Sequence, residues 1–416
     1  MHKIERLLQT LAPKGVEFKT LEEVFEIKNG YTPSKNNPEF WKNGTIPWFR
    51  MEDIRENGRI LKDSIQHITP KALKGKKLFP KNSIIISTTA TIGEHALLIV
   101  DSLANQQFTF LSKKANCDLA LDMKFFFYQC FLLGEWCKNN TNVSGFASVD
   151  MSAFKKYKFP IPPLEIQQEI VKILDAFTEL NTELNTELKA RKKQYEYYQN
   201  MLLDFNDINQ NHKDAKMSAK TYPKRLKTLL QTLAPKGVEF RKLGEVCEII
   251  RGKRVTKKEI LDKGKYPVVS GGIGFMGYLN EYNREENTIT IAQYGTAGFV
   301  NWQNQKFWAN DVCFSVIPNE TLINRYLYYV LTNMQNYLYS ISNRSAIPYS
   351  ISSNNIMQIT IPIPPLEIQQ EIVKILDQFS LLTTDLLAGI PAEIKARKKQ
   401  YEYYREKLLT FKPLLK

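Results

Sequence analysis

Apolar residues recur at helical spacing along the segment 161–205, where glutamate, lysine and other polar residues separate them. The steps alternate between four and three residues before becoming a run of fours, which is typical of a coiled-coil seam. Pro162 and Pro163 stand just before the helix, where a missing N–H is tolerated. The predicted helix-pair seam consists of Ile166, Ile170, Ile173, Phe177, Leu180, Leu184 and Leu188, with Ile368, Ile372, Ile375 and Phe379 in a second segment.

A single helix of about 40 residues is about 60 Å long and cannot bury its own apolar stripe. Two copies in one chain can bury each other's stripes, so the pattern predicts an antiparallel helix pair related by a pseudo-twofold axis. The alternative is that each helix packs on its own domain.

Between the helical segments the pattern changes to short apolar runs rich in β-branched residues. NSIIIS (82–87) and NTITIA (287–292) predict strands. The two runs are 205 positions apart, and so are Gly93 and Gly298. We therefore predict that two dissimilar middle blocks share one fold.

Long segments of the chain occur twice. Such internal repeats have to be identified before a fold is assigned, because each copy forms an equivalent structural unit. IPPLEIQQEIVKILD (161–175) recurs unchanged at 363–377, KARKKQYEYY (189–198) at 395–404, and LLQTLAPKGVEF (7–18) at 229–240. The repeats predict an N-terminal conserved segment, a first variable domain, a central helix, a connector, a second variable domain and a C-terminal helix. Their predicted bounds are 1–18, 19–160, 161–205, 206–240, 241–362 and 363–416.

The peptide TELNTELNTELK (178–189) repeats one four-residue unit inside the first helix. Four residues add a little more than one turn, about 6 Å of rise, so each unit returns its leucine to nearly the same face. In the second copy Gly389 and Pro391 interrupt the helix, and the proline is expected to kink or break it. Replication slippage on a solvated helix is the alternative origin of the repeat.

The net charge of +14 lies outside the helical segments, because 161–205 is net acidic and 363–411 is neutral. Positive middle blocks suit a polyanion such as nucleic acid, although solubility alone is an alternative. The five cysteines show no CxxC spacing, so we expect reduced thiols and a cytoplasmic location. Nothing predicts a membrane span or a signal peptide.

Motifs for catalysis are weak or missing. GIGFMG (272–277) matches GxGxxG, but the residues after it do not predict a helix, so we do not expect dinucleotide binding. The sequence contains no GxxxxGK[ST] and no (D/N/S)PP(Y/F) tetrapeptide of amino-methyltransferases. These observations favour a binding protein.

The repeated PPLEIQQEI segments, the GVEF segments and the dissimilar blocks between them resemble the specificity (S) subunit of type I restriction–modification systems. The resemblance implies an α+β fold in which two globular mixed α/β target recognition domains are separated by two long antiparallel coiled-coil helices with pseudo-twofold symmetry. It implies that each domain recognises one half of a bipartite site in double-stranded DNA. In that family tetrapeptide repeats in the central helix tune the spacing between the half-sites.

The resemblance also implies partners. The helices would dock two methyltransferase subunits, and translocase/endonuclease subunits would complete the complex. The chain itself would perform no chemistry and bind no cofactor or metal. S-adenosylmethionine would bind to the partner methyltransferase.

Residues that contact DNA need basic groups for phosphates and Arg, Asn, Gln, Ser or Thr for base edges. Turn-rich basic segments follow the first strand of each middle block, and polar loops follow later strands; a solvated surface is the alternative for each single residue. The candidates in the first block are Lys28, Asn29, Tyr31, Thr32, Ser34, Lys35, Arg50, Lys74, Lys76, Lys77, Thr89 and Thr91. Those in the second block are Arg251, Lys253, Arg254, Lys257, Lys258, Gln293, Tyr294, Thr296 and Arg344.

Two other functions stay open at this point. An enzyme with built-in recognition domains would bind a cofactor or cut DNA alone. A scaffold would join partner proteins without any sequence preference or salt dependence.

Overall fold

The computed structural model describes residues 2–142, 147–205, 222–384 and 389–414. The chain forms two compact units. The first comprises Met1–Glu183 with Lys395–Lys416, and the second comprises Leu184–Ile394. Each unit therefore contains one middle block together with parts of both helical copies.

The first unit mixes short strands with helices. Its elements are α1 (His2–Leu11), β1 (Glu17–Thr20), α2 (Leu21–Val24), β2 (Phe25–Asn29), β3 (Ile46–Phe49), α3 (Met51–Asn57), β4 (Ile60–Leu61), β5 (His67–Ile68), β6 (Ile84–Ser87), β7 (His95–Leu98), β8 (Leu103–Ala104), β9 (Phe108–Lys113), α4 (Met123–Asn139), β10 (Thr141–Asn142), β11 (Ser148–Val149), α5 (Met151–Lys155), β12 (Lys158–Ile161), the beginning of α6 (Leu164–Leu203) and the end of α13 (Ile390–Leu409).

A five-stranded sheet in the order β2-β9-β6-β7-β4 forms the centre of this unit, and a three-stranded sheet in the order β5-β3-β8 lies beside it. The strand β6 was predicted from its sequence, and every one of its residues is buried. Asp122 caps α4 by accepting from the backbone N–H groups of Lys124 and Phe125. The phenylalanines of α4 then pack into the same core as the sheet.

The second unit contains a matching set of elements. They are the end of α6, α7 (Lys224–Leu233), β13 (Glu239–Lys242), α8 (Leu243–Val246), β14 (Cys247–Arg251), β15 (Tyr266–Val269), β16 (Tyr278–Leu279), β17 (Thr288–Ala292), β18 (Val300–Gln303), β19 (Trp308–Ala309), β20 (Cys313–Pro318), α9 (Asn324–Asn333), α10 (Gln335–Ser340), α11 (Ser353–Met357), β21 (Thr360–Ile363), α12 (Leu366–Thr384) and the beginning of α13.

The sheet order β14-β20-β17-β18 corresponds to β2-β9-β6-β7, and β16-β15-β19 corresponds to β5-β3-β8. The turns also match, because Asn82 and Asn287 have φ values of 65° and 60°, and Gly93 and Gly298 have φ values of 89° and 86°. Both asparagines adopt the left-handed region that few other residues tolerate. The prediction that the two middle blocks share one fold is confirmed.

A buried glutamine at the beginning of each long helix fastens the helix to its unit. The Gln167 side chain accepts from the Asp122 N–H at 2.8 Å and donates to the carbonyls of Ala120 and Pro162 at 2.8 and 2.6 Å. Gln369 makes the equivalent bonds in the second unit. The identical repeats therefore encode identical attachments between helix and domain.

The apolar stripe of each helix begins inside the core of its own unit. Ile166 and Ile170 are fully buried in the core that contains the α4 phenylalanines, together with Leu174. Ile368 and Ile372 are buried in the second core in the same way. These four seam residues serve as domain anchors, because the first turns of each helix lie against the sheet domain. Ile173, Ile375, Leu180, Leu184 and Leu188 are half-buried.

Further along, each unit pairs one helical copy with the other. In the first unit Phe177 stacks on Tyr404, with ring centroids 5.7 Å apart. In the second unit Phe379 stacks on Tyr198 at 5.0 Å. The repeats make these two pairs equivalent, so the same aromatic contact recurs in each unit.

The second helical copy is broken where the sequence predicts. α12 ends at Thr384 and α13 begins at Ile390, with Pro391 in its first turn. Gly389 approaches the Leu381 carbonyl so closely that a Cβ would lie 2.4 Å from its oxygen. The expected interruption is confirmed, whereas α6 is one continuous helix.

All five cysteines are free. Burial raises the pKa of the Cys137 and Cys247 thiols to about 12, so these side chains stay protonated and unreactive. No helix in the described part of the chain is long and apolar enough to cross a membrane.

Candidate nucleic-acid interface

The basic segment after the first strand of each block is held tightly at its beginning. β2 extends through Asn29, so Lys28 and Asn29 are strand residues rather than loop residues. A Cβ on Gly30 would lie 2.1 Å from the Asn105 carbonyl oxygen, and one on Gly252 would lie 2.0 Å from that of Asn310. Only glycine allows such close approach of two backbone segments. Both basic segments therefore leave their sheets at the same place.

A tryptophan anchors each basic segment, but the two tryptophans stand on different strands. Trp48 on β3 lies opposite Leu103, whereas Trp308 on β19 lies opposite Val268. The indole N–H groups nevertheless donate to equivalent carbonyls, those of Tyr31 and Lys253, both at 2.9 Å. The same hydrogen bond to the basic segment is therefore made in both units, although the tryptophan that donates it stands on neighbouring strands of the two sheets.

The first unit carries an open cleft of about 580 Å³ beside this anchor. The rings of Trp41 and Trp48 pack edge to face in this cleft, with their centroids 5.0 Å apart. The Trp41 indole donates to the Ser34 carbonyl at 2.9 Å, which holds the basic segment along the cleft. We call it the Arg50 cleft, and its lining consists of Lys35, Pro38, Trp41, Lys42, Trp48, Arg50 and Gln66.

The basic turn predicted at 74–77 lies beside the same segment. The Lys76 Nζ is 4.0 Å from the centre of the Tyr31 ring, and the Lys74 Nζ is 5.3 Å from that of Phe40. Lys77 is exposed. The structure thus brings Tyr31, Lys35, Arg50 and the lysine turn together, which the sequence order does not reveal.

Thr89 and Thr91 lie in the loop after β6. Thr89 is bridged to Ser148, and Thr91 lines a second open cleft of about 610 Å³ together with Met51 and Arg55 from α3. The predicted Thr32 and Ser34 stay within the basic segment, half-buried and exposed respectively.

In the second unit three polar loops meet. The Thr296 hydroxyl donates to the Gly271 carbonyl at 2.7 Å, and the Ile351 N–H donates to the Gln293 carbonyl at 3.0 Å. Tyr294 is bridged to Ser350, so the loop that carries exposed Arg344 lies against them. Gln293, Tyr294, Thr296 and the Arg344 loop therefore form one surface.

The remaining basic candidates of the second unit are spread along the segment after β14. The Arg251 Nε donates to the Asp311 carbonyl at 2.7 Å, and the Lys253 Nζ lies 5.9 Å from the Trp308 ring centre. Arg254, Lys257 and Lys258 are exposed. No contact joins these three to the Arg344 loop within the described residues.

The GxGxxG match lies in the loop between β15 and β16, without the strand-to-helix context of a dinucleotide site. In the ranges that the structure describes, no cluster of His, Cys, Asp and Glu is placed to hold a metal ion.

The sequence interpretation missed Trp41, Lys42 and Gln66 as cleft residues. Trp41 and Lys42 follow a short 3₁₀ turn (Pro38–Phe40), and Gln66 precedes the two-residue strand β5. Nothing in their local pattern marks them, and the place of Gln66 depends on the pairing of β5 with β3.

The chain is similar to known proteins along most of its length. Residues 13–193 and 235–396 match the family model described as the type I restriction modification DNA specificity domain. The chain is 41% identical over 404 residues to the type I restriction enzyme EcoprrI specificity subunit of Escherichia coli. This alignment covers 93% of each of the two chains. It is 32% identical over 256 residues to a putative type I specificity subunit of Mycoplasma pneumoniae, covering 60% of this chain and 94% of that one.

Two solved structures share the fold. The S subunit of a type I restriction–modification system from M. genitalium aligns with a TM-score of 0.57 at 19% identity over 95% of both chains. A chain from a study of complex assembly and conformational transition in the type I system aligns with a TM-score of 0.59 at 19% identity, over 95% of this chain and 97% of that one.

Two sheet domains with basic and aromatic loops, carried on repeated helices, define a protein of the DNA-recognition class. The chain belongs to the specificity-subunit family of type I restriction–modification systems. The family membership expected from the repeats is confirmed, and so is the fold of two mixed α/β domains with long helices. The function of this family is recognition of DNA sequence within a restriction–modification complex.

Proposed function

We propose that each unit of this chain recognises one half of a bipartite DNA site. The observation that carries the proposal is that the two units share sheet order and turn geometry while their loops differ. The first unit presents a cationic, aromatic cleft, whereas the second presents the Gln293, Tyr294 and Arg344 surface. Equal scaffolds with unlike loops suit two unlike half-sites.

We propose further that the helices set the distance between the half-sites. α6 runs without interruption from Leu164 to Leu203 and includes the whole tetrapeptide repeat. Adding or removing one unit keeps the leucines on nearly the same face because four residues make about one turn. The helix can therefore change length without losing its apolar stripe.

The repeated helices also supply a surface for partner proteins. Leu164 and Leu366 are large apolar residues that remain exposed at equivalent positions. The neighbouring Gln168 and Lys172, and their equivalents in the second copy, are exposed as well. Packing within the chain does not require these solvent-facing residues to be identical, so we assign the two matching faces to two copies of one methyltransferase subunit. Translocase/endonuclease subunits would join this assembly.

We propose that the chain itself performs no catalysis and that S-adenosylmethionine binds to the methyltransferase partner. The loop position of the GxGxxG match supports this assignment, since it lacks the helix that a dinucleotide phosphate requires.

The test is selection of bound fragments from random duplex DNA by the chain together with its methyltransferase partner. We expect a motif of two short halves separated by a fixed unspecified gap, bound less tightly as salt rises because phosphate contacts release counterions. A stable protein complex that enriches no sequence would contradict the proposal and favour a scaffold.

A further inference from the structure

Three polar side chains of the Arg50 cleft, those of Lys35, Lys42 and Gln66, lack partners within the described part of the chain. Among the described residues, Lys35 and Lys42 form no ion pair and the Gln66 amide forms no hydrogen bond. Other lysines of this unit, such as Lys28 and Lys71, are paired with glutamates. None of the described residues that line the cleft is a carboxylate. The cleft thus has unneutralised positive charge and a free amide.

Arg50 is held in place from two sides. Its backbone N–H donates to the Asp53 carboxylate at 2.6 Å, and the other oxygen of that fully buried carboxylate accepts from Ile65 at 2.6 Å. Its guanidinium carbon lies 5.8 Å from the centre of the Trp48 ring. The Nε atom is inaccessible to solvent and has no hydrogen-bond partner, with Glu52 at 3.8 Å as a loose ion pair.

A guanidinium that follows a strand and lines an open cleft can match the two acceptors of a guanine. Arginine contacts to guanine O6 and N7 are the commonest specific contacts in the major groove. Lysines beside such a contact serve the neighbouring phosphates, where position matters less.

We propose that the Arg50 cleft binds the major-groove edge of a guanine in the first half of the DNA site. Arg50 is the base-reading residue, and Lys35 and Lys42 contact flanking phosphates. This assignment rests on the proposed function and adds a residue and a base to it.

The equivalent position of the second unit holds a serine. Strand pairing places Ser270 after β15 where Arg50 follows β3, since Val269 and Phe49 both lie opposite the alanine of the partner strand. The Ser270 hydroxyl accepts from the Asn310 amide at 3.5 Å. The contact that we assign to Arg50 therefore belongs to the first half-site only.

The experiment is the same fragment selection with Arg50→Ala and Arg50→Lys, each in complex with the methyltransferase partner. We expect Arg50→Ala to lose the guanine preference at one position of one half-site and to bind the best wild-type site about 10- to 100-fold more weakly. Arg50→Lys keeps the charge without the fork, so it should also lose the preference while it retains more of the affinity.

Two further variants separate base recognition from general attraction. Lys42→Ala should weaken binding to all sequences alike and reduce the salt slope by about one. Lys19→Ala serves as the charge control, because Lys19 on β1 is paired with Glu17 at 2.8 Å. This variant should change neither the DNA affinity nor the salt slope. The Gln66 side chain forms no hydrogen bond within the described residues. Gln66→Ala therefore tests the cleft if the Arg50 variants fail to fold.

The outcomes distinguish this assignment from the proposed function. If the wild-type chain selects a bipartite motif and Arg50→Ala selects the same motif, the cleft assignment is wrong and the proposed function stands. A uniform loss of affinity in Arg50→Ala would make Arg50 a phosphate contact and would also overturn the assignment. Absence of any motif with the wild-type chain would overturn both.

Discussion

Gln167 and Gln168 are neighbours in an identical repeat, yet only Gln167 is buried. Replacing Gln167 by alanine leaves one backbone N–H and two carbonyls without their side-chain partner. We therefore expect Gln167→Ala to lower the free energy of unfolding of the first unit by about 1–3 kcal/mol. Urea unfolding of the full chain, with hydrogen exchange at residues 120–122 to locate the effect, measures this change.

Gln168→Ala is the matched control, because that side chain is exposed. It should change the free energy of unfolding by less than about 0.5 kcal/mol. Gln369 and Gln370 offer the same comparison in the second unit. Equal effects of the two neighbouring substitutions would show that the buried amide does not fasten the helix.

Sequence alone cannot distinguish these two glutamines, although the apolar spacing around them places Ile166 and Ile170 on one face. The same limit applies to the candidate interface. Tyr31 and Arg50 are predictable from aromatic and basic residues near strand ends. Gln66 is not, because its place in the cleft comes from pairing between distant short strands.

Among the elements of the fold, the long helices are the most predictable from the sequence. Periodicity predicts α6 almost to its ends, and Pro391 predicts the break in the second copy. The pattern could not show that the first turns of each stripe face a sheet domain rather than the other helix. An apolar stripe specifies burial, and the partner that covers it depends on tertiary packing.

Removal of one TELN unit from α6 tests the spacing role of this helix. Four residues rise about 6 Å and base pairs are stacked about 3.4 Å apart, so the gap between half-sites should shorten by about one or two base pairs. Fragment selection with the deletion variant measures the gap. Asn185→Ala keeps the length of the helix and should keep the gap, whereas an unchanged gap after the deletion would leave slippage as the explanation of the repeat.

In the whole molecule, two equivalent units are expected to recognise DNA independently of each other. This expectation rests on the shared sheet order, the matching glycine and asparagine turns, and the identical helix attachments. Repeats in the sequence predicted this organisation directly. The base sequence recognised was not predictable, because it depends on loop geometry that differs between the units.

Exchange of residues 241–362 for the corresponding block of another specificity subunit tests whether the two units recognise DNA independently. Fragment selection with the hybrid chain and its methyltransferase partner would compare the new motif with the original one. Independent recognition predicts that one half-site changes while the other half-site and the gap stay the same. A change in both half-sites would contradict independent recognition, because it would mean that the two units recognise DNA as one inseparable surface.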